Sequence, residues 1–125
     1  MKRDMDIVRK VLITAEEPPK SNWPGGIKSI EGVPEDVAAY HVALLKDAGF
    51  VEAIVDNNPD GLPYRFQKLR MTWAGHEFLD AARDDTIWKK VKEHVIAPGA
   101  SWTVSLLFEY LKAEIRTRLK LPPSP

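Results

Sequence analysis

The chain has 125 residues, 44% of them hydrophobic, and its 18 Lys and Arg balance 18 Asp and Glu to a formal charge of zero. That length suits one modest core, and the neutral balance excludes a global field drawing the chain onto nucleic acid or an anionic membrane, so any such binding needs a local patch. With no cysteine, disulfides, thiolate nucleophiles and cysteine zinc sites are excluded. The charged start Met1-Lys2-Arg3-Asp4-Met5-Asp6 is unlike a signal peptide, and no apolar run is long enough to span a bilayer. The expectation is a cytoplasmic protein with no membrane partner and no cofactor.

Asp4 or Asp6 can cap a first helix whose Ile7, Val8, Val11, Leu12 and Ala15 form one apolar face, ending before Pro18-Pro19. From Pro18 to Gly32 the chain is loop-like, with Ile27 to Ile30 as a candidate short strand. Pro34-Glu35-Asp36 reads as a first helical turn, which predicts a helix over Pro34 to Ala48 with Val42, Leu45 and Ala48 inward and Gly49 as its C-terminal cap. Phe50 to Asp56 then suits a strand, Asn57 to Gly61 a turn, and Leu62 to Met71 an antiparallel return. Tyr64 and Phe66 alternate with Arg65 and Gln67, and the alternation breaks near Leu69 and Met71, where a bulge or a change of face is expected.

Thr72 can cap the next helix, with apolar contacts from Trp73, Phe78, Leu79 and Ala82 and a close approach at Gly75. Thr86 is read as the cap of a short helix carrying Ile87, Trp88, Val91 and Val95, which Pro98-Gly99 ends. The longest helix is predicted from Ser101 to about Leu119, its apolar residues wrapping more than one face. Leu121 to Pro125 reads as a disordered tail. Helix, hairpin and helix in this order predict an α+β winged-helix domain over residues 1–120, with the hairpin as the wing and additional C-terminal helices.

The opening Met1 to Asp6, the Tyr40-His41 to Ala48-Gly49 segment, and the run Thr72-Trp73-x-Gly75-His76-x-Phe78-Leu79-Asp80-x-x-Arg83-Asp84-Asp85-Thr86-x-Trp88 resemble domain-of-unknown-function family 2513, small proteins of bacteria and phages. That resemblance implies no established activity, catalytic residue or cofactor. The segment His41-Val42-x-x-Leu45-x-x-Ala48-Gly49-Phe50-Val51, followed by a wing and Met71-Thr72-x-x-Gly75, is also similar to winged helix-turn-helix repressors of the ArsR, MarR and PadR kinds, which implies DNA binding. The chain departs from them in two places. Between Gly32 and Ala48 there is room for one helix where a full helix-turn-helix needs two. The outward positions of that helix, Ala39, Tyr40, Ala43, Leu44 and Asp47, are apolar and slightly acidic rather than suited to base edges.

Candidate sites follow. Arg65, Lys68 and Arg70, beside Gln67, are placed on the wing's returning strand to meet phosphates of double-stranded DNA; the alternative is a solvated edge strand. Ala39, Tyr40, Ala43 and Leu44 form the recognition-like face, which suits a protein partner, DNA contact through Tyr40 and Lys46 as the helix approaches a groove, or packing within the chain. Lys112, Arg116, Arg118 and Lys120 form a basic cluster that the helix dipole alone accounts for. Trp102, Phe108, Tyr110 and Leu111 suit a homodimer helix or an intramolecular lid. His76 and Asp80 share a helical face, but a bare His-x-x-x-Asp is a weak metal signal; His76 is expected to bond to Asp80 or to a neighbouring backbone carbonyl, and His41 to pack against the wing. No phosphate loop, nucleophile elbow or Ser/His/Asp order is present, so no enzyme and no metal are expected. Two functions lead, DNA binding through the wing or a protein-interaction module on the same scaffold, with a small hydrolase using His76 and Asp80 as a formal competitor.

Overall fold

Asp4 closes the first turn of helix α1 (Met5–Glu16), its carboxylate accepting from the backbone N–H groups of Asp6 at 2.9 Å and Ile7 at 3.4 Å. The computed structural model describes residues 2–18, 28–96 and 103–120. Among these the architecture is mixed α+β: α1, α2 (Glu35–Asp47), strands β1 (Val51–Asn57) and β2 (Pro63–Met71), α3 (Trp73–Ala82), α4 (Asp85–Val91) running into a π-helical turn (Lys92–Ile96), and α5 (Val104–Arg118). The chain clusters into two units, Met1–Glu77 and Phe78–Pro125, the boundary falling within α3. Lys28 to Ile30 form no strand, and the rest of the strand expected there, with Pro98-Gly99 and the Leu121 to Pro125 tail, lies outside the described residues.

In the first unit α1 packs on α2 and β2, and α2 packs on both strands. Met5, Val8, Val11, Leu12 and Ala15 supply the buried face of α1, the three-and-four spacing that one side of a helix requires. Serving two neighbours gives α2 a wider buried arc of Ala38, Ala39, His41, Val42 and Leu45. His41 is 1% exposed and joins the two helices instead of packing only on the hairpin. Its Nδ1 lies 2.8 Å from the Val37 carbonyl oxygen and its Nε2 accepts the Asp4 backbone N–H at 2.9 Å. A backbone N–H can only donate, so the ring is neutral with its proton on Nδ1.

The end of α2 is a Schellman motif. Phe50 N–H donates to the Leu45 carbonyl at 2.9 Å and Gly49 N–H to that of Lys46 at 3.0 Å, with Gly49 at φ +83°. Ala48 is therefore the exposed C-cap rather than an inward residue. Thr72 ties this corner to the root of the hairpin: its N–H donates to Phe50 O, its hydroxyl donates to Gly49 O at 2.6 Å, and the same oxygen accepts Gly75 N–H at 3.1 Å. Gly75 thereby sits against the backbone of Phe50, as its close approach predicts. Trp73 does not contribute to that packing and is 81% exposed. Two residues before Gly75, it lies on the opposite side of the helix, so burying one exposes the other.

In the second unit Phe78, Leu79, Ala82, Ile87, Trp88, Val91, Leu107 and Leu111 are buried. The cap of α4 is Asp84, not Thr86: its carboxylate accepts Ile87 N–H at 3.0 Å, the geometry of an N-cap reaching the third helical residue. Thr103 caps α5 by accepting Leu106 N–H at 3.1 Å; Ser101 and Trp102, where the helix was expected to begin, lie outside the described residues. Two ion pairs fasten α5 to the α4 region, Arg118 to Asp84 and Lys90 to Glu114 at 3.3 Å.

Candidate nucleic-acid interface

The register of the hairpin decides which side chains its outer face presents. Cross-strand partners are Val51 with Met71, Glu52 with Arg70, Ile54 with Gln67, Val55 with Phe66 and Asp56 with Arg65. From Glu52 to Ile54 the strand β1 advances two residues while β2 advances three, so β2 carries an extra residue opposite this step. Lys68 takes it up in the left-handed region at φ +56°. Directly opposed residues share a face, so Arg65, Gln67 and Arg70 lie on the side of Glu52, Ile54 and Asp56. Phe66, Leu69 and Met71 are buried. Strict alternation would have put Leu69 and Met71 on the face of Arg65; the bulge turns them inward and turns Arg70 outward. Lys68 is exposed beside them.

A second register shift, between Asp56 and Asn57, sets two residues of β2 against one step of β1. Tyr64 is the additional residue there and is 41% exposed instead of sharing the inward face of Phe66. The Arg65 guanidinium lies over its ring, 5.6 Å from the centroid. Asn58 closes the turn, its side-chain oxygen accepting from Asp60 and Leu62 N–H at 3.0 Å each, with Gly61 at φ +80°.

Two of the hairpin cations have carboxylate partners. Arg65 Nε donates to Asp56 at 3.0 Å, and Arg70 bonds to Glu52 at 2.7 Å through its terminal nitrogen. The Asp56 hydrogen bond, followed by the nearby Tyr64 and Asp56 charges, holds Arg65 more firmly protonated than usual. Among the described residues no carboxylate is recorded against Lys68. Three cations and two carboxylates thus share the face, which also carries Ile54, 44% exposed. The sequence reading does not pair Arg70 with Glu52 or Arg65 with Asp56, although the two-residue spacing of Glu52, Ile54 and Asp56 contains both pairs once the register is known.

The other expected sites fare differently. On α2, Tyr40, Ala43 and Leu44 are half-buried, but Ala39 is 0% exposed and leaves the outward face because α2 is held by neighbours on two sides. Glu35, Asp36 and Asp47 are exposed on the same helix. Leu111 is 0% exposed and cannot belong to an open dimer surface, since with Leu107 it forms the stripe of α5 packed within its own unit. Phe108 is half-buried, edge-on to Phe78 with ring centroids 5.5 Å apart. Tyr110 is half-buried, and burial, followed by Glu114, pushes its hydroxyl pKa upward. The basic cluster of α5 is divided among partners: Lys112 lies 3.8 Å from Glu109 and over the Phe108 ring, and Arg118 is paired with Asp84. Asp80 accepts from Arg83 at 3.1 Å rather than from His76. Among the described residues no three His, Cys, Asp or Glu side chains gather as a metal site, and no helix is long and apolar enough to cross a membrane.

Comparison with known proteins places these features in a family. Residues 2–101 match the family described as Hypothetical protein (DUF2513). A protein of Haemophilus influenzae, strain Rd, described as an uncharacterized protein, is 33% identical over 92 residues, which cover 74% of this chain and 76% of the relative. No solved structure matches the chain. With four fifths of its length inside the family match, the chain belongs to the DUF2513 family.

Proposed function

We propose that the chain is a non-enzymatic regulatory protein of bacterial or phage origin whose first unit is a winged helix, and that it binds double-stranded DNA through the outer face of its wing. The observation that carries this reading is the bulge at Lys68, which gathers Arg65, Gln67, Lys68 and Arg70 on one solvent-facing surface. Their ion pairs are exposed, and exposed pairs hold weakly against competing solvent and salt. A phosphate oxygen can therefore take the place of Asp56 or Glu52. The face contributes position and charge rather than base reading, and its single surplus positive charge accords with modest, salt-sensitive binding.

The test is binding of the full chain to a mixed duplex pool over a salt series. Each phosphate contact contributes about 0.9 to the logarithmic salt slope, so Arg65→Ala with Arg70→Ala removes roughly twice that and lowers affinity while leaving the fold intact. An unchanged slope would sink this function. A second reading, a protein-interaction module, draws on the acidic solvent side of α2 and the exposed Trp73. In that case Trp73→Ala abolishes partner capture without altering thermal stability.

A further inference from the structure

We propose that the first unit holds a binding site for a small zwitterion with an apolar side group, of the chemical class of an apolar α-amino acid, in the cavity between Lys28–Val33, the start of α2 and strand β2. The cavity measures about 390 Å³, within the span of roughly 300–1,000 Å³ found for small-molecule sites. Ile30, Ala38 and Phe66, all buried, and the half-buried Val33 form an apolar wall. Three polar residues, Lys28, Ser29 and Glu35, complete the lining.

The pairing of opposite charges on one apolar cavity selects the ligand. A simple carboxylic acid would satisfy Lys28 and face Glu35 as a like charge. A simple amine would do the reverse. A neutral apolar molecule would strip water from both charges and return nothing for it. A zwitterion brings its carboxylate to Lys28 and its ammonium to Glu35 in charge-assisted hydrogen bonds, with its side group on the wall of Ile30, Val33, Ala38 and Phe66. The Lys28 Nζ donates one hydrogen to the Ala15 carbonyl at 2.6 Å, which leaves two donors for a ligand carboxylate. Burial lowers the Lys28 pKa, with the field of Glu17 opposing, so an added carboxylate restores what the amine loses by leaving water.

The cavity also adjoins the wing. Phe66, part of its wall, is the cross-strand partner of Val55, and the charge of Glu35 contributes to the field that holds Arg65 protonated. Binding itself requires no nucleic acid.

The experiment is isothermal titration of the full chain with L-phenylalanine and L-leucine, beside 3-phenylpropionate, phenethylamine and glycine. Saturable binding of the two apolar amino acids is expected, about ten-fold or more tighter than that of the three comparison compounds, a step of about 1.4 kcal/mol. Glu35→Gln and Lys28→Met each weaken it at least about ten-fold. Because Lys28→Met also removes the bond to Ala15, Val33→Trp serves as a second variant: it fills the cavity, leaves that bond in place and abolishes binding. The proposal is overturned if neither amino acid binds at concentrations up to about 10 mM, if 3-phenylpropionate or phenethylamine binds equally well, or if Val33→Trp leaves affinity unchanged.

Discussion

Gly75 lies so close to Phe50 that a β-carbon on Gly75 would stand 2.0 Å from the Phe50 carbonyl oxygen and 2.5 Å from Cγ of Met71. The nearer obstacle is backbone and cannot turn aside. Gly75→Ala must push α3 away from the root of the hairpin, and overpacking of this kind costs about 1–3 kcal/mol. Urea unfolding of the variant is expected to show that loss. A midpoint equal to that of the parent would mean that the corner yields.

His41→Leu keeps the side-chain volume nearly constant and removes both nitrogens. The Asp4 N–H loses its acceptor at a part-buried position, and a donor left in that state costs about 1–3 kcal/mol. Hydrogen exchange at Asp4 and over the first turn of α1 should accelerate more than exchange in the hairpin. Uniform acceleration would show that the ring contributes only packing.

Lys68 separates a backbone role from a charge role. At φ +56° the left-handed conformation costs a non-glycine residue about 1–2 kcal/mol, so Lys68→Gly should hold or raise the melting temperature and Lys68→Val should lower it. On the DNA reading both variants shed one phosphate contact and about 0.9 of the salt slope. Loss of slope in Lys68→Val but not in Lys68→Gly would show that the bulge matters and the ammonium does not.

Glu52→Gln with Asp56→Asn removes the two carboxylates that share the outer face of the hairpin. If that face meets phosphate, duplex affinity rises, most strongly at low salt, because Arg65 and Arg70 no longer have internal competitors. Unaltered or weaker duplex binding by a folded double variant counts against the wing as the contact surface.

The Asp84 carboxyl is held below its ordinary pKa, first by the Ile87 N–H, against an opposing contribution from burial, and with Arg118 assisting. A carboxyl whose pKa is lower in the folded chain contributes stability above its unfolded pKa of about 3.9 and loses it as pH falls through the folded value. Thermal unfolding measured below about pH 4 should therefore show a smaller difference between parent and Asp84→Asn than at pH 7. Asn can still cap α4, so Asp84→Ala is expected to melt lower than Asp84→Asn at neutral pH.

Local chemistry in the sequence determined the helices and the turn. The apolar spacing of α1, Gly49 after Leu45 and Lys46, the turn residues through Gly61, and glycine at position 75 each satisfy a requirement of the backbone within a few residues. The disturbed alternation near Leu69 also marked the bulge. Tertiary structure decided which side chains face solvent. Ala39 is covered because α2 has neighbours on two sides, and Trp73 is exposed because Gly75 takes the inward side of α3. His41 bridges to Asp4, a residue 37 positions away, which no local pattern encodes. The same holds for the hairpin: Arg65, Lys68 and Arg70 are visible in the sequence, but the pairing of Arg65 with Asp56 and of Arg70 with Glu52 depends on a strand register that two bulges set, and register is a property of the folded pair of strands.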